Sequence, residues 1–567
     1  MTVATAPTPT APSVFSSLHC YLHWKTAHLD TFITDTLTPL MEGLRGEGRI
    51  DDWFFIRYAE HGPHLRVRAR GGDAREHRRW QEHLAAAARA AEHSPLDLTA
   101  TSGPDWPPHA HARQVPYQPE IERYGGPAAI GVAEKVFGTS SRIAAEVIAR
   151  TPRPGERMVA ATDLVLATTV ALDLDMLAAA RWLRRSATSW RWHLDTTTLT
   201  STGVQGPALA AATTQARSVV RRWHQIAAPA PVGGLIRDRW AAQVRAARVE
   251  LEAGTGGGDR WAGVWSSQLH MLLNRLGILP DEERSLYFFL AAALVAPDGP
   301  TDFFADDTTS ADRRYLVASS YAPGRIEWQQ PRATGLPGPG RPRPAAGPLT
   351  LPAAVPVATS LVDALESRAS GRGDLGGVVD AAQLGTLLWT AAGATARPAG
   401  GTRRPYPSAG AKYAVRLRLV ARDVAGVPSY QYDVDPESRV LLPVGPVPTD
   451  GELAAASMWF EPDPTPRPST VDIPAGQERI VVSTLPALLG IYLDLTVLRA
   501  GYGLRALRFG LLEAGHLAQN LALTAAAAGM ALGVVGGFYD DIAHELLLLD
   551  GVDEVLTCLL PVGRSEA

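Results

Sequence analysis

One short segment of the chain, residues 53–68, reads WFFIRYAEHGPHLRVR and ends in arginines at alternate positions. The segment predicts two short strands around a Gly-Pro turn, and in HLRVR the side chains alternate between an apolar and a charged face. Arg66 and Arg68 lie on the charged face. Neighbouring guanidiniums repel each other unless an anion lies among them, and their planar donor groups match a carboxylate or a phosphate. The face therefore indicates a site for an acidic ligand; the alternative is a solvated strand face balanced by acids such as Glu60.

Two further segments of the N-terminal half carry residues suited to the same chemistry. PEIERYGG places Arg123 just before a glycine pair that must turn the chain. SSQLHMLLNRLG places His270 and Asn274 four residues apart, and hence on one face of a predicted helix. A histidine there can transfer protons, but it can equally be an ordinary core or surface residue. The residues alone leave both roles open for His270.

The C-terminal half contains a different set of polar loops. ESRASGR places Arg368, Ser370 and Arg372 two residues apart at the start of a predicted helical region, where a phosphate would be favoured. An exposed polar loop is the alternative. Two more loops carry glycines that let the backbone approach a ligand closely: RRPYPSAGAKY, with Gly410, and GVVGGFYDD. None of these loops reads GxGxxG, so a Rossmann dinucleotide site is not supported.

The overall composition bounds the class of protein. The chain has 567 residues, of which 46% are hydrophobic and 20% charged, so two to four globular domains are expected. A net charge of −4 argues against a nucleic-acid binder. Cys20 and Cys558 lie near opposite ends, without metal-ligand spacing, and no metal site is predicted. The sequence shows neither a secretory signal nor a run of about 18 apolar residues, so we expect a cytoplasmic protein without a membrane partner.

Changes in composition divide the chain into four segments. We predict a disordered tail over residues 1–15, an N-terminal domain over 16–296, a Pro/Gly-rich linker over 297–356 and a C-terminal domain over 357–567. Hydrophobic periodicity predicts helices over residues 75–92, 158–184, 206–224, 259–277, 282–296, 360–370, 380–392 and 505–528, and strands over 413–421, 429–433 and 554–562. The helix over 505–528 is apolar or small on several sides and is expected in a core or a subunit interface.

The three N-terminal motifs, WFFIRYAEHGPHLRVR, YQPEIERYGG and QLHMLLNRLG, resemble the elimination domain of class I lantibiotic dehydratases. The resemblance implies β-elimination of glutamate from a glutamylated Ser or Thr of a precursor peptide, giving a dehydroamino acid. It also implies that Arg66, Arg68 and Arg123 hold the glutamate and that His270 transfers the proton. Nothing in the chain resembles the glutamylating domain, so a separate enzyme is expected to load the glutamate.

The C-terminal loops, the string FGLLEAGHLAQNLALTAAAAGMALGVVGGFYDD and the terminal LPVGR resemble flavin-dependent nitroreductases, and among them the azoline dehydrogenases of peptide natural products. The resemblance implies an α+β fold that dimerises through long helices, with FMN in the subunit interface. The residues it assigns to the FMN phosphate are Arg368, Ser370, Arg372 and Arg564. Those it assigns to the flavin ring are Pro407, Ser408, Gly410, Gly536 and Gly537, with Asn520 on the helix side.

The position expected to supply the base for azoline oxidation departs from the family pattern. Azoline dehydrogenases commonly carry a Lys-Tyr pair where this chain has Gly501 and Tyr502. Tyr502 is therefore the first candidate for the base. Lys412, in the PSAG loop, is the second.

Together the two resemblances predict an α+β protein of two domains that acts as a bifunctional enzyme of thiopeptide biosynthesis. Its partners would be the precursor peptide, a separate glutamylating enzyme, a cyclodehydratase and a second copy of the chain. Two other classes remain open: a small-molecule flavin oxidoreductase with a non-catalytic peptide-binding N-terminal module, and a non-enzymatic scaffold. RNA binding through the arginines is disfavoured by the negative net charge.

Overall fold

The computed structural model describes residues 15–91, 106–190, 199–228, 235–255, 261–296, 310–320, 347–396, 402–463 and 478–564. Nearly all of the predicted tail and most of the predicted linker lie outside these residues. Within the described residues, 15–179 and 215–286 form one compact unit, and 180–214, 287–320 and 347–564 form a second. They are called the N-terminal and the C-terminal unit below. Residues 180–214 precede the predicted linker in sequence but pack with the C-terminal unit. The domain bounds given by the sequence analysis remain a prediction.

The first part of the chain is mainly helical, with four strands. In order the elements are β1 Ser16–Tyr21, α1 Thr26–Phe32, α2 Thr38–Gly46, β2 Asp52–Tyr58, β3 His64–Arg70, α3 Ala74–Ala90, β4 Ala112–Gln114, α4 Ile130–Arg150, α5 Pro154–Ala171, α6 Met176–Ser189, α7 Ser201–Ala227, α8 Ile236–Thr255, α9 Trp261–Leu276 and α10 Pro280–Val295.

One antiparallel sheet, in the order β2-β3-β1-β4, carries the arginine-rich segment. Strands β2 and β3 pair across the predicted turn, and Phe54 lies opposite Arg68. Leu65 and Val67 are buried while Arg66 and Arg68 are partly exposed, as the alternation predicts. Helix α4 packs against β2, α8 and α9, and so joins the sheet to the helix that carries His270.

The predicted helix over residues 158–184 is wrong in one respect, because two helices occupy it. Helix α5 ends at Ala171 and α6 begins at Met176. Asp173 between them adopts a left-handed backbone conformation with φ of 56°. The carboxylate of Asp175 then accepts a hydrogen bond from the N–H of Ala178 at 2.7 Å, which begins the next helix. The apolar pattern runs through the break, so periodicity alone does not reveal it.

The later elements are α11 Ala311–Ala318, β5 Leu349–Thr350, α12 Leu361–Ser367, β6 Val379–Asp380, α13 Ala381–Ala392, β7 Thr395–Ala396, β8 Thr402–Arg403, β9 Val415–Ala421, β10 Val424–Ala425, β11 Tyr430–Asp435, β12 Val440–Gly445, α14 Asp450–Ala455, β13 Phe460–Glu461, β14 Ile480–Val481, β15 Ala487–Asp494, α15 Leu495–Tyr502, α16 Ala506–Ala527, β16 Ala531–Leu532, α17 Asp540–Leu546 and β17 Glu554–Gly563.

A seven-stranded sheet, in the order β16-β17-β15-β9-β11-β12-β5, forms the centre of the C-terminal unit. One of its faces packs against α13 and α16, and the other packs against α14 and α17. The central strand β15 is buried along almost its whole length, because both faces of the sheet are covered. In the part of the chain that the structure describes, no helix is both long and apolar enough to cross a membrane.

The segment ESRASGR does not begin a helix, and this part of the sequence prediction is wrong. Helix α12 ends at Ser367, and Arg368 leaves it with ψ of 116°. The next helix begins only at Ala381. The arginines of this segment therefore follow the carboxyl end of a helix, so a helix N-terminus contributes nothing to an anion site there.

Residues 180–189 of helix α6 are held within the C-terminal unit by ion pairs. Arg185 contacts the carboxylate of Asp550 at 2.7 Å, and Arg181 contacts that of Asp553 at 2.7 Å. Asp550 is fully buried and also accepts the N–H groups of Val552, Asp553 and Glu554 at 2.8 to 2.9 Å. Burial alone would raise the pKa of Asp550, but Arg185 and these N–H groups lower it below its usual range.

Replacing Asp550 with Asn is expected to destabilise the protein by about 2 kcal/mol at neutral pH, because Arg185 and the three N–H groups lose an ionised acceptor. The folded-state pKa lies below the unfolded-state value of about 4, so the contribution is complete above about pH 4 and is lost as the pH falls from there through the lower folded-state pKa. Thermal unfolding between pH 7 and pH 3 should show that the difference in Tm between wild type and variant becomes smaller as the pH falls. Glu437→Gln, at an exposed acid, is the control; a difference independent of pH would contradict this account.

Candidate functional site

The side chain of Arg66 is held in place by its strand neighbours. Its Nε donates to Nε2 of His64 at 3.1 Å, and its guanidinium carbon lies 3.4 Å from the centroid of the Tyr58 ring. His64 Nδ1 lies 2.8 Å from the carbonyl oxygen of Gly62, so the neutral ring donates there and accepts from Arg66. Burial lowers the pKa of His64 to about 4, which keeps this arrangement across neutral pH. Glu60 is 3.8 Å from Arg66 and well exposed, so it balances the arginine only weakly.

Arg68 lies between aromatic rings rather than beside an acid. Its guanidinium carbon is 4.6 Å from the centroid of the Tyr117 ring and 5.4 Å from that of Phe54. Its Nε is buried without a hydrogen-bond partner in the described part of the chain. Burial lowers the pKa of Arg68. Such a cation gains from any anion that enters the site.

Arg123 connects the turn after β4 to helix α9. Its Nη1 contacts the carboxylate of Glu120 at 2.9 Å, and its Nε donates to Oγ of Ser267 at 3.1 Å. Burial opposes its charge, but Tyr124, Glu120 and Glu283 raise the pKa of Arg123 overall. Ser267 precedes His270 by one helical turn, so the structure brings Arg123 to the helix of the candidate base.

His270 is oriented by a buried acid. Its Nδ1 lies 2.8 Å from Oε2 of Glu283, a side chain that is only 2% exposed. An ionised carboxylate can only accept, so Nδ1 carries the proton and the basic lone pair lies on Nε2. Glu283 is a functional candidate that the sequence prediction missed. Its signal was faint, because it is one of three adjacent acids, DEE, at the start of α10.

The four N-terminal candidates are linked through shared neighbours. The charge of Glu120 acts on both Arg68 and Arg123, and that of Glu283 acts on both Arg123 and, by contact, His270. Arg66 and Arg68 lie on one face of β3. This region therefore offers a base fixed by a carboxylate together with several cations. Such an arrangement can remove a proton and stabilise a departing anion.

In the C-terminal unit, the PSAG loop is held by a buried glutamate that the sequence prediction also missed. Glu513 of α16 accepts from Oγ of Ser408 at 2.5 Å and from the N–H of Val415 at 3.1 Å. Oγ of Ser408 in turn accepts from the N–H of Tyr413 at 2.8 Å. An acid inside the apolar string FGLLEAGHL was the available signal, because an unpaired carboxylate would not be tolerated there.

Two predicted ring-contact residues, Gly410 and Asn520, and the candidate base Tyr502 have contacts at this loop. Gly410 has φ of 57°, and a Cβ built on it would lie 2.3 Å from the hydroxyl oxygen of Tyr502. Tyr502 and Gly410 are therefore in direct contact. The amide of Asn520 donates to the carbonyl oxygen of Pro405 at 3.1 Å and thus fastens the start of the loop to α16.

A cavity of about 580 Å³ opens beside the same loop, within the size range of small-molecule sites. Its lining includes Trp389, Arg404, Pro407, Ser408 and Tyr413. Lys412, the second candidate base, is exposed, whereas the hydroxyl of Tyr413 accepts from the N–H of Arg404 at 3.0 Å.

Two of the remaining cofactor candidates, Arg372 and Gly537, lie beside Trp459. The guanidinium carbon of Arg372 is 5.7 Å from the centroid of the Trp459 ring, and a Cβ on Gly537 would lie 2.8 Å from Nε1 of the same tryptophan. The N–H of Arg564 donates to the carbonyl oxygens of Leu375 and Gly376 at 3.1 and 3.0 Å. These contacts place Arg564 beside the loop that follows Arg372. Arg368 is partly exposed, and Ser370 and Gly536 are exposed and adjoin these residues in sequence. Trp459 carried no sequence signal beyond its size.

Comparison with known proteins assigns a family to each part of the chain. Residues 16–294 match the family described as lantibiotic biosynthesis dehydratase C-term, and residues 367–564 match the nitroreductase family. The chain therefore joins an N-terminal lantibiotic dehydratase domain to a C-terminal nitroreductase domain, which confirms the predicted two-domain α+β organisation and the resemblance to these two families. In the described residues, no cluster of His, Cys, Asp or Glu is arranged to hold a metal ion.

Individual relatives cover one part or the other. A curated protein of Methanocaldococcus jannaschii that is named as a nitroreductase is 29% identical over 205 residues, covering 36% of this chain and 91% of its own. The pyridine synthase TbtD from thiomuracin biosynthesis aligns with 50% of this chain and 97% of its own, at 19% identity and a TM-score of 0.39. The tRNA-dependent lantibiotic dehydratase MibB of Microbispora sp. 107891 aligns with 52% of this chain and 29% of its own, at 22% identity and a TM-score of 0.35.

Replacing Gly410 with Ala is expected to destabilise the protein by about 2 kcal/mol, because the left-handed backbone and the hydroxyl of Tyr502 both oppose a Cβ. In a Tyr502→Phe background the backbone strain remains but the contact with the hydroxyl is lost, so the same change should cost about 1 kcal/mol less. Thermal unfolding of the four proteins in this cycle measures the difference. Equal costs in both backgrounds would show that Tyr502 does not lie against Gly410.

Proposed function

We propose that the chain is a bifunctional enzyme of ribosomal peptide modification, which eliminates glutamate from glutamylated Ser or Thr residues and oxidises azolines to azoles with FMN. The observation that carries the proposal is the His270–Glu283 pair, whose Nδ1–Oε2 distance is 2.8 Å, next to a cluster of arginines in a lantibiotic dehydratase domain. The oxidoreductase half rests on the nitroreductase domain and on the loop that Glu513 organises.

In the elimination reaction, Nε2 of His270 removes the Cα proton of the acylated residue. The electrons of the C–H bond form the Cα–Cβ double bond, and the Cβ–O bond breaks so that glutamate leaves as a carboxylate. Glu283 holds the ring in the tautomer that can accept the proton and stabilises the imidazolium that results. Arg66, Arg68 and Arg123 bind the glutamate and stabilise the charge that develops on the leaving group.

The residues of the C-terminal unit fit a flavin mononucleotide. At Gly410 and Gly537 the space that a Cβ would take is filled by the hydroxyl of Tyr502 and by Nε1 of Trp459, so these two aromatic side chains lie directly against the loops that the resemblance assigns to the flavin ring. Ser408, Pro407 and Asn520 would face the ring, and Arg368, Ser370, Arg372 and Arg564 would hold the phosphate. FMN supplies the hydride acceptor for the oxidation. Members of the nitroreductase family typically bind a flavin, which supports the assignment.

The protein itself must supply the base for the azoline proton. Tyr502 is the candidate, because its hydroxyl lies against Gly410 at the edge of the organised loop. Lys412 is the second candidate and lies on the same loop, with an exposed side chain. Either would remove a ring proton on the side opposite to the flavin.

A homodimer would complete the flavin site. The contacts of the cofactor candidates fall into two clusters within one chain, around Ser408 and around Trp459. Leu511 and Leu512 of α16 are 52% and 60% exposed, and Leu361 of α12 is 68% exposed, so these helices present apolar surface that a second copy would cover. We propose that the loop around Ser408 in each copy meets the cluster around Trp459 in the other.

The proposed reactions imply several partners. The substrate is a precursor peptide that a cyclodehydratase and a separate glutamylating enzyme have already modified, and the reactions take place in the cytoplasm. A small-molecule flavin oxidoreductase would release no glutamate from a glutamylated peptide, and a scaffold would bind no FMN. Mass spectrometry of the peptide and the absorbance spectrum of the purified protein therefore separate the proposal from both rivals.

His270→Ala is expected to reduce glutamate elimination by about 100-fold or more, and Glu283→Gln by about 10-fold or more, because the first removes the base and the second its orienting acceptor. Mass spectrometry of a glutamylated peptide measures the loss of glutamate. Azole formation by the same preparations should be unchanged. His224→Ala, at an exposed histidine of α7, is the control; full elimination activity in His270→Ala would refute the assignment.

Arg368→Ala is expected to weaken FMN binding by about 10- to 100-fold, because a charge-assisted contact with the phosphate is lost. Titration of the apoprotein with FMN, followed by quenching of flavin fluorescence, measures the affinity. Glutamate elimination should be retained. Arg416→Ala, at an exposed position of β9, is the control, and unaltered FMN affinity in Arg368→Ala would remove this residue from the phosphate site.

A further inference from the structure

Arg275, on the helix that carries His270, is a fully buried cation that the proposed mechanism does not use. Its side chain has 0% exposure. Its Nε donates to the carbonyl oxygen of Phe55 at 2.8 Å. Both terminal nitrogens are buried, and within the described residues neither has a hydrogen-bond partner. A guanidinium does not lose its proton in proteins, so a whole positive charge lies here without a matching acid.

The surroundings of Arg275 connect it to the arginine-rich strand. Its guanidinium carbon lies 6.0 Å from the centroid of the Phe54 ring and 5.4 Å from that of Phe137. Arg68 lies 5.4 Å from the same Phe54 ring. The pKa of Arg275 is lowered to about 9; burial is the main cause, Tyr124 opposes the shift and the charge of Arg68 adds to it. Two cations therefore share one aromatic neighbour, and neither contacts a carboxylate in the described part of the chain.

Other buried arginines of this protein are neutralised. Arg57 and Arg157, in the same unit, contact the two carboxylate oxygens of Asp30 at 2.5 and 2.7 Å. Arg418, also with 0% exposure, contacts Asp433 at 3.0 Å in the C-terminal unit. The fold can thus supply a buried arginine with an acid. Its failure to do so for Arg275 costs stability, and such costs are typical of functional sites.

We propose that Arg275 is a positioning residue of the elimination site, whose uncompensated charge strengthens the hold of Arg68 on the glutamate of the substrate. Its terminal nitrogens are too deeply buried to touch the substrate, so it acts through Arg68. The charge is balanced when the glutamate carboxylate binds and when the breaking Cβ–O bond leaves a second carboxylate on the departing glutamate. The inference rests on the proposed elimination reaction and adds a cation to it.

The proposal predicts that stability and activity change in opposite directions. In Arg275→Met the buried charge disappears at similar volume, so Tm should stay the same or rise. Elimination from a glutamylated peptide should fall on the order of 10-fold or more, with KM raised, because the anion is held less strongly. Arg275→Lys keeps the charge and should recover part of the lost rate. Arg157→Met, which removes a paired buried arginine, should instead lower Tm without raising KM.

The experiment measures three quantities for the wild type and the three variants in the full chain: Tm, the kcat and KM of elimination, and the shift of Tm on addition of L-glutamate. The expected result is a stable Arg275→Met with raised KM and a smaller glutamate-dependent shift. A lowered Tm with an unchanged KM would overturn the proposal and make Arg275 purely structural. Wild type that neither eliminates glutamate nor is stabilised by it would instead refute the proposed function, so the two failures are distinguishable.

Discussion

A carboxylate can be buried only where donors surround it, and this one constraint determines the geometry of both candidate sites. Glu283 is 2% exposed and orients His270, and Glu513 is 1% exposed and fixes Ser408 and the N–H of Val415. In each case the acid lies on a helix and the group that it positions lies on another element. The acid therefore converts helix packing into the placement of a chemical group. Neither acid needs to contact a substrate to be essential.

Some buried arginines of the N-terminal unit have an acid beside them, whereas others do not. Arg57 and Arg157 share Asp30, as buried cations normally require. Arg68 and Arg275 instead lie against aromatic rings, where the attraction between cation and ring offsets only part of the cost of burial. Since most positive charge in this chain is arginine, the residue type alone carries little information. The informative property is whether a buried guanidinium has an acid beside it.

The sequence was sufficient for those features that depend on local pattern. The strand His64–Arg70 and the helices Trp261–Leu276 and Ala506–Ala527 follow from alternation and from helical periodicity, which act within a few residues. The break at Asp173 and the end of α12 at Ser367 depend on single backbone conformations that periodicity does not register. Glu283, Glu513 and Trp459 could not be assigned, because their importance arises from partners 13 to 105 residues away or from a ring contact with a distant arginine. Long-range pairing is the information that one sequence lacks.

The two candidate sites differ in whether one copy of the chain can supply all of their residues. Contacts within the N-terminal unit link Arg123 to the helix of His270 and link His270 to Glu283, so on the proposed function a single copy can supply the elimination site. The flavin candidates form two clusters, one on the loop held by Glu513 and the other around Trp459, and exposed leucines lie on α12 and α16 of the same unit. On the proposed function, elimination then depends only on the folding of one unit, whereas oxidation also depends on association. Under the same proposal, the apolar surface of the long helix, which would be a liability in a monomer, serves to assemble the second site.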